Sequence, residues 1–164
     1  MIGGAVTGLL LVIVGSLLRP LLPWWIRLIA VAVLAVVVVG NDLRLFHVRL
    51  PQNGRQVPPS VIFEGGRLGA LQFGFEMGTG LRTFMSSSLP HLAALTVALF
   101  APWPYALLTG AAFGAGRAVM PLVRMASGDG EAWDERFAAS QRPFRALSLF
   151  AGMAGVAVAL YLSQ

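Results

Sequence analysis

The sequence predicts an all-α fold, a polytopic membrane bundle of about six transmembrane helices, and three observations predict it. Hydrophobic residues make up 57% of the chain, charged residues 12%, and the mean hydropathy is +0.75, far from the averages of domains that fold in water. Apolar runs approaching the 20 or so residues that a bilayer crossing takes recur along the chain. The polar residues collect in two segments, 41–65 and 124–145, both rich in arginine. The whole of 1–164 reads as a single transmembrane domain.

The first two spans, 2–18 and 24–40, are uninterrupted. RPLLPWW joins them as an antiparallel hairpin, because Pro20 and Pro23 break helices and Trp24 and Trp25 suit the headgroup level. The N-terminal run has neither a basic start nor a small-residue cleavage site, so a retained helix is expected and not a signal peptide. Segment 41–65 follows, with turn chemistry at PQNG and VPPS, and its arginines place it in the cytoplasm. Glycine and proline punctuate the second half, which divides into helices at 66–85, 87–101 and 104–123. A polar loop is expected at 124–145 and a last helix at 146–162. Six crossings put both termini and the 41–65 loop in the cytoplasm and leave 124–145 outside. The alternative, five crossings and a re-entrant 66–85 segment, puts both arginine-bearing loops inside.

Several function classes are excluded or left without support. All twelve basic residues are arginine, which accounts for the sequence pI of 11.3, but no basic stripe with interleaved aromatics suggests nucleic acid. The chain has no cysteine, so disulfides, thiolate metal sites and thiol relays are ruled out. His47 and His91 lack metal-ligand spacing, and Asp129, Glu131, Asp134 and Glu135 read as a solvated loop without the calcium-loop pattern. No nucleophile elbow or phosphate loop occurs, so neither an enzyme nor a bound cofactor or metal is expected. Arginine in place of lysine, with abundant Ala, Gly, Val and Leu, points to a GC-rich bacterial genome and hence to a bacterial cytoplasmic membrane.

Glu76 is the sharpest polar signal. It falls about 15 Å along its expected helix, near mid-membrane, where a charge costs about 2.5 to 3.5 kcal/mol on insertion scales. Arg82, six residues on, lies about 120° round the helix and cannot pair with it, so the partner expected is Arg117 on another helix. Gly114 and Gly116 would let the helices approach closely there. Two readings stay open: a buried pair that pins helices, or a solute or proton site. Gly74 and Gly78 form a GxxxG pattern suited to helix packing. Ser86, Ser87 and Ser88 precede Pro90 at a helix break, where hydroxyls and freed backbone groups either line a cavity or form an exposed loop. The expected solute or ion pathway is thus Glu76, Arg82, Ser86, Ser87, Ser88 and Arg117, and the expected packing residues are Gly74, Gly78 and Gly114.

The stretch RLGALQFGFEMGTGLRTFMSSSLPHLAAL resembles the transmembrane family of CcdA and DsbD, within the LysE-type transporter group. There a cytoplasmic loop leads into a glycine-rich helix, a helix-breaking Thr-Pro-Cys-type segment and an Ala/Leu-rich continuation. The resemblance covers residues 1 to 123 and implies inverted repeats and broken helices facing a central cavity. The family's redox cysteine would be expected near Thr83 to Ser86, where this chain has Phe84 and Met85, so electron transfer through thiols does not carry over. The function expected is translocation of a small solute or ion through a cavity lined by glycine-rich broken helices. An accessory or assembly subunit is the competing reading. Membrane lipids are the expected partners, with a homo-oligomer or a larger membrane complex, since so small a bundle has little interior.

Overall fold

The computed structural model of the chain describes residues 2–51, 66–79 and 87–162, and its secondary structure there is helical, with no strand among the described residues. The helices are α1 (Ile2–Leu18), α2 (Trp24–Asp42), α3 (Gly66–Thr79), α4 (Leu89–Phe100), α5 (Trp103–Ala126), α6 (Gly130–Ala139) and α7 (Gln141–Leu162). Three stretches, Trp24–Asp42, Trp103–Ala126 and Gln141–Tyr161, are long and apolar enough to cross a membrane; α1 and α4 are apolar and shorter. Only 17%, 11% and 6% of their apolar windows are buried within the protein. A domain that folds in water covers its most apolar helices, whereas here Ile13, Val33, Leu108 and Phe150 face outward, a surface that suits lipid.

The polar loop expected at 124–145 is largely helical instead. Gly128, in the left-handed region (φ 75°), turns the chain out of α5, and Asp129 caps α6 by accepting hydrogen bonds from the Glu131 and Ala132 amides (both 3.1 Å). The Arg124 guanidinium donates to both Asp134 carboxylate oxygens at 2.9 Å, and Trp133 stacks on Phe137 one turn later. These contacts stabilise a ten-residue helix whose short sequence, with four charged residues, gives little periodic signal. The last helix starts at Gln141 rather than 146, with Pro143 in its first turn, where a missing amide hydrogen costs nothing. Similarly, α5 extends to Ala126 past the expected end at 123, with Pro121 inside it.

The chain divides into two compact units. One comprises residues 1–9, 51–85 and 107–139, and so holds α3, α6, the start of α1 and most of α5. The other comprises residues 10–50, 86–106 and 140–164, and so holds α2, α4, α7 and the rest of α1 and α5.

In the α2–α4–α7 unit the core is Val31, Val38, Leu92, Leu99 and Leu149, with Leu34, Leu95 and Met153 packed around it. Here α2 and α4 run antiparallel, since Arg27 near the start of α2 bonds the end of α4, and Asp42 at the end of α2 bonds its start. In the α3 unit, contact is made by glycines. A Cβ on Gly110 would run into the Gly4 carbonyl and come within 3.2 Å of the Gly8 amide; one on Gly4 would strike the Gly110 carbonyl and lie 3.0 Å from the Gly114 amide. Gly3 sits in the same way on the Phe75 carbonyl, and Gly78 packs on Gly3 and Gly4.

Candidate functional site

Helix α4 has 12 residues and covers only about 18 Å, too little for a hydrocarbon core of about 30 Å. Its terminal amides and carbonyls therefore need partners from the protein, because lipid supplies none. At its start, Asp42 is 93% buried, being only 7% exposed, and its carboxylate accepts the Ser88 amide (2.9 Å) and the Ser87 hydroxyl (2.6 Å). The Ser87 oxygen in turn accepts the Leu89 amide at 3.1 Å. A carboxylate there also meets the positive end of the helix dipole. At the other end the Arg19 guanidinium donates to the carbonyls of Ala98 (2.9 Å), Val97 (3.0 Å) and Ala101 (2.7 Å). Arg27 donates to Leu99 (3.1 Å) and lies over the Phe100 ring. Two cations thus meet the negative end of the dipole, and Arg19 supplies the donor that Pro102, lacking an amide hydrogen, cannot give the Ala98 carbonyl.

Glu76 and Arg117 belong to the α3 unit. Both are half-buried in largely apolar helices. The Glu76 carboxylate accepts a hydrogen bond from the Gln72 amide (3.0 Å), one turn earlier. Arg117 comes from α5 onto the residue beside Glu76: its guanidinium lies 3.9 Å from the Met77 sulfur and over the Phe113 ring. Thr79 donates to the Glu76 carbonyl, and Thr7 of α1 donates to the carbonyls of Gly3 (3.1 Å) and Thr79 (3.3 Å), so α3 is fastened just beyond Glu76.

The sequence-derived residues thus separate. Arg117 of α5 reaches Met77, next to Glu76 on α3, whereas Ser87 and Ser88 lie at the start of α4 and bind Asp42. Arg82 and Ser86 fall outside the described residues. Among the glycines, Gly78 touches Gly3 and Gly4, and the Gly114 amide faces Gly4. Gly74 is exposed, with open space where a Cβ would be, so Gly78 alone of the GxxxG pair makes the close contact; Gly116 is equally open. Among the described residues no cluster of His, Asp or Glu could hold a metal ion. Sequence reasoning passed over Arg19 and Arg27, whose signal was a 12-residue apolar run too short to span and therefore short of partners at its ends. No family model, curated protein or solved structure matches the chain.

Proposed function

We propose that the chain is a polytopic protein of a bacterial cytoplasmic membrane that lets a small solute or ion pass at Glu76 and Arg117. The observation that carries the reading is a half-buried acid and a half-buried guanidinium on neighbouring apolar helices, with Arg117 reaching Met77, the residue next to Glu76. Ionisable groups at membrane depth are costly, so they mark pathways more often than ordinary packing. The Ser87 and Ser88 part of the expected pathway drops out, since both serve the start of α4. The resemblance to the CcdA and DsbD family supports the same picture of broken helices beside a cavity, without a thiol step.

Three helices are long and apolar enough to cross a membrane, and of the two arrangements read from the sequence we favour the one in which α3 is re-entrant. Asp42 bonds Ser87, so the end of α2 and the start of α4 lie at the same depth, which supports this arrangement. Arg145 reaches the Asp42 carbonyl (3.4 Å), which brings the start of α7 to that depth as well. Segments 41–65 and 124–145 then share one side, and eight of the twelve arginines lie in or beside them, which the positive-inside rule assigns to the cytoplasm. Because the chain has no cysteine, single cysteines at Arg49 and Glu135 report cleanly; both are expected to label from the cytoplasmic face, and labelling from opposite faces restores six crossings.

Function is tested by reconstitution in liposomes, following proton flux with an internal pH dye and sodium, potassium and chloride by osmotic swelling. At least one flux above protein-free liposomes is expected, falling at least about tenfold in Glu76→Gln and Arg117→Met. A second reading, an accessory subunit of a larger membrane complex, is favoured by the use of Asp42, Arg19 and Arg27 purely as fasteners. Absence of every flux together with a stoichiometric membrane partner on purification would establish it.

A further inference from the structure

We propose that the loop 43–49 and the first turns of α7 bind the phosphate of anionic phospholipid headgroups. The proposal rests on the membrane reading above and is independent of passage at Glu76. Charge is the first support. The α3 unit holds six arginines and six acids, whereas the α2–α4–α7 unit holds six arginines and one acid, so the chain's whole formal charge of +5 lies in the latter. Arg19 and Arg27 are engaged with the end of α4, and the one acid, Asp42, is buried against Ser87 and Ser88. Arg44, Arg49, Arg142 and Arg145 remain at the other end of α2 with no exposed acid in the unit.

The loop is built. Both polar atoms of the Asn41 side chain grip Val48, the amide nitrogen donating to its carbonyl and the oxygen accepting its amide, each at 2.8 Å. Arg44 takes a left-handed conformation (φ 60°) that lets the Leu45 amide reach the Gly40 carbonyl at 2.8 Å, and the Phe46 ring seats on Gly40. These bonds fix the backbone and leave the arginines outside. Arg44, Arg49 and Arg142 are exposed, and among the described residues no hydrogen bond or ion pair engages their guanidiniums. Arg145 bonds the Asp42 carbonyl, which sets α7 beside the base of the loop, and Arg142 lies three residues earlier on the same helical face.

The occupant is a lipid because the same loop also exposes apolar side chains. Leu43, Leu45 and Val48 alternate with Arg44, His47 and Arg49, and Leu45 is 73% exposed. At the headgroup level the leucines enter the acyl boundary while guanidiniums meet phosphates; a free phosphate would leave them in water.

The test is native mass spectrometry of the full chain in detergent, titrated with phosphatidylglycerol and with phosphatidylcholine. Phosphatidylglycerol is expected to bind at least about tenfold tighter. Each exposed arginine near a phosphate contributes about fivefold, so Arg44→Gln, Arg49→Gln and Arg142→Gln together should remove the preference. Arginine-to-lysine changes at the same positions should keep most of it, which shows that the loop still folds. Equal binding of the two lipids overturns the site, and so does an equal loss on changing Arg124 and Arg136 instead. Displacement of phosphatidylglycerol by millimolar inorganic phosphate overturns the lipid as occupant. None of these results alters the flux expected at Glu76.

Discussion

In the α2–α4–α7 unit side chains meet side chains: Val31, Val38, Leu92, Leu99 and Leu149 interlock, and charged groups close the two ends of α4. In the α3 unit backbone meets backbone, with Gly3 and Gly4 of α1 lying directly on carbonyls of α3 and α5. Lipid gives helices no hydrophobic reason to associate, so both units depend on close packing and polar bonds. The difference lies in what each tolerates. A side-chain core relaxes around a lost methylene, whereas two backbones in contact have no atoms free to move aside.

The largest expected effect follows from that contrast. Gly110→Val should cost about 3 kcal/mol or more, since the added atoms fall on the Gly4 carbonyl, itself fixed in α1. Gly74→Ala in the same unit should instead be neutral or stabilise by up to about 1 kcal/mol, because its Cβ meets open space in a helix. Thermal unfolding in detergent measures both. Equal losses at the two positions would show that the glycine contacts are not what holds α3 and α5 against α1.

In the other unit, Asp42→Ala should cost about 2 to 3 kcal/mol by leaving the Ser87 hydroxyl and the Ser88 amide without their acceptor. Asp42→Asn, which keeps one acceptor oxygen, should recover part of this. A loss below about 0.5 kcal/mol in the alanine variant would remove the carboxylate as the fastener of α4. Smaller again, Arg44→Gly should stabilise the turn after α2 by about 0.5 to 1 kcal/mol, since a left-handed conformation strains any residue with a Cβ. The same variant keeps the loop and removes one guanidinium, so its lipid preference and its stability should move in opposite directions.

The sequence made α1 and α2 legible because Pro20 and Pro23 punctuate two long apolar runs, and it marked α4 because SSSLP and FAPWP bound it. What holds α4 was not legible: Arg19, Arg27 and Asp42 are remote from it in the chain and read locally as helix-end residues. Packing by Gly3 and Gly4 escaped for a related reason, since glycines abound and only the folded chain selects which of them meet a backbone. Helix α6 did carry local signals, an Asp129 cap and an aromatic pair at Trp133 and Phe137, but its polar face hid them among loop residues. Glu76 stood out in the sequence because cost alone marks it; its neighbour Met77, which receives Arg117, has no such mark.

The smallest effect concerns the corner between α5 and α6. Hydrogen bonds from Arg124 hold the Asp134 carboxyl below the ordinary carboxylate range; desolvation opposes them, and Arg124's charge adds a smaller lowering. A group whose pKa is lower when folded stabilises the fold above its unfolded pKa, and that contribution disappears as pH falls through the folded value. Both side chains are about half exposed, at 50% and 53%, so solvent screens the pair and the stabilisation is small. A carbon-13 NMR titration of Asp134 should therefore show a midpoint below that of an unstructured aspartate, returning toward it in Arg124→Ala. The α6 amides should lose protection from hydrogen exchange over the same acid window. An Asp134 midpoint unchanged by Arg124→Ala would mean that the Asp129 cap and the Trp133–Phe137 stack alone fold α6, and the glycine turn at 127–129 would then be the only thing directing it.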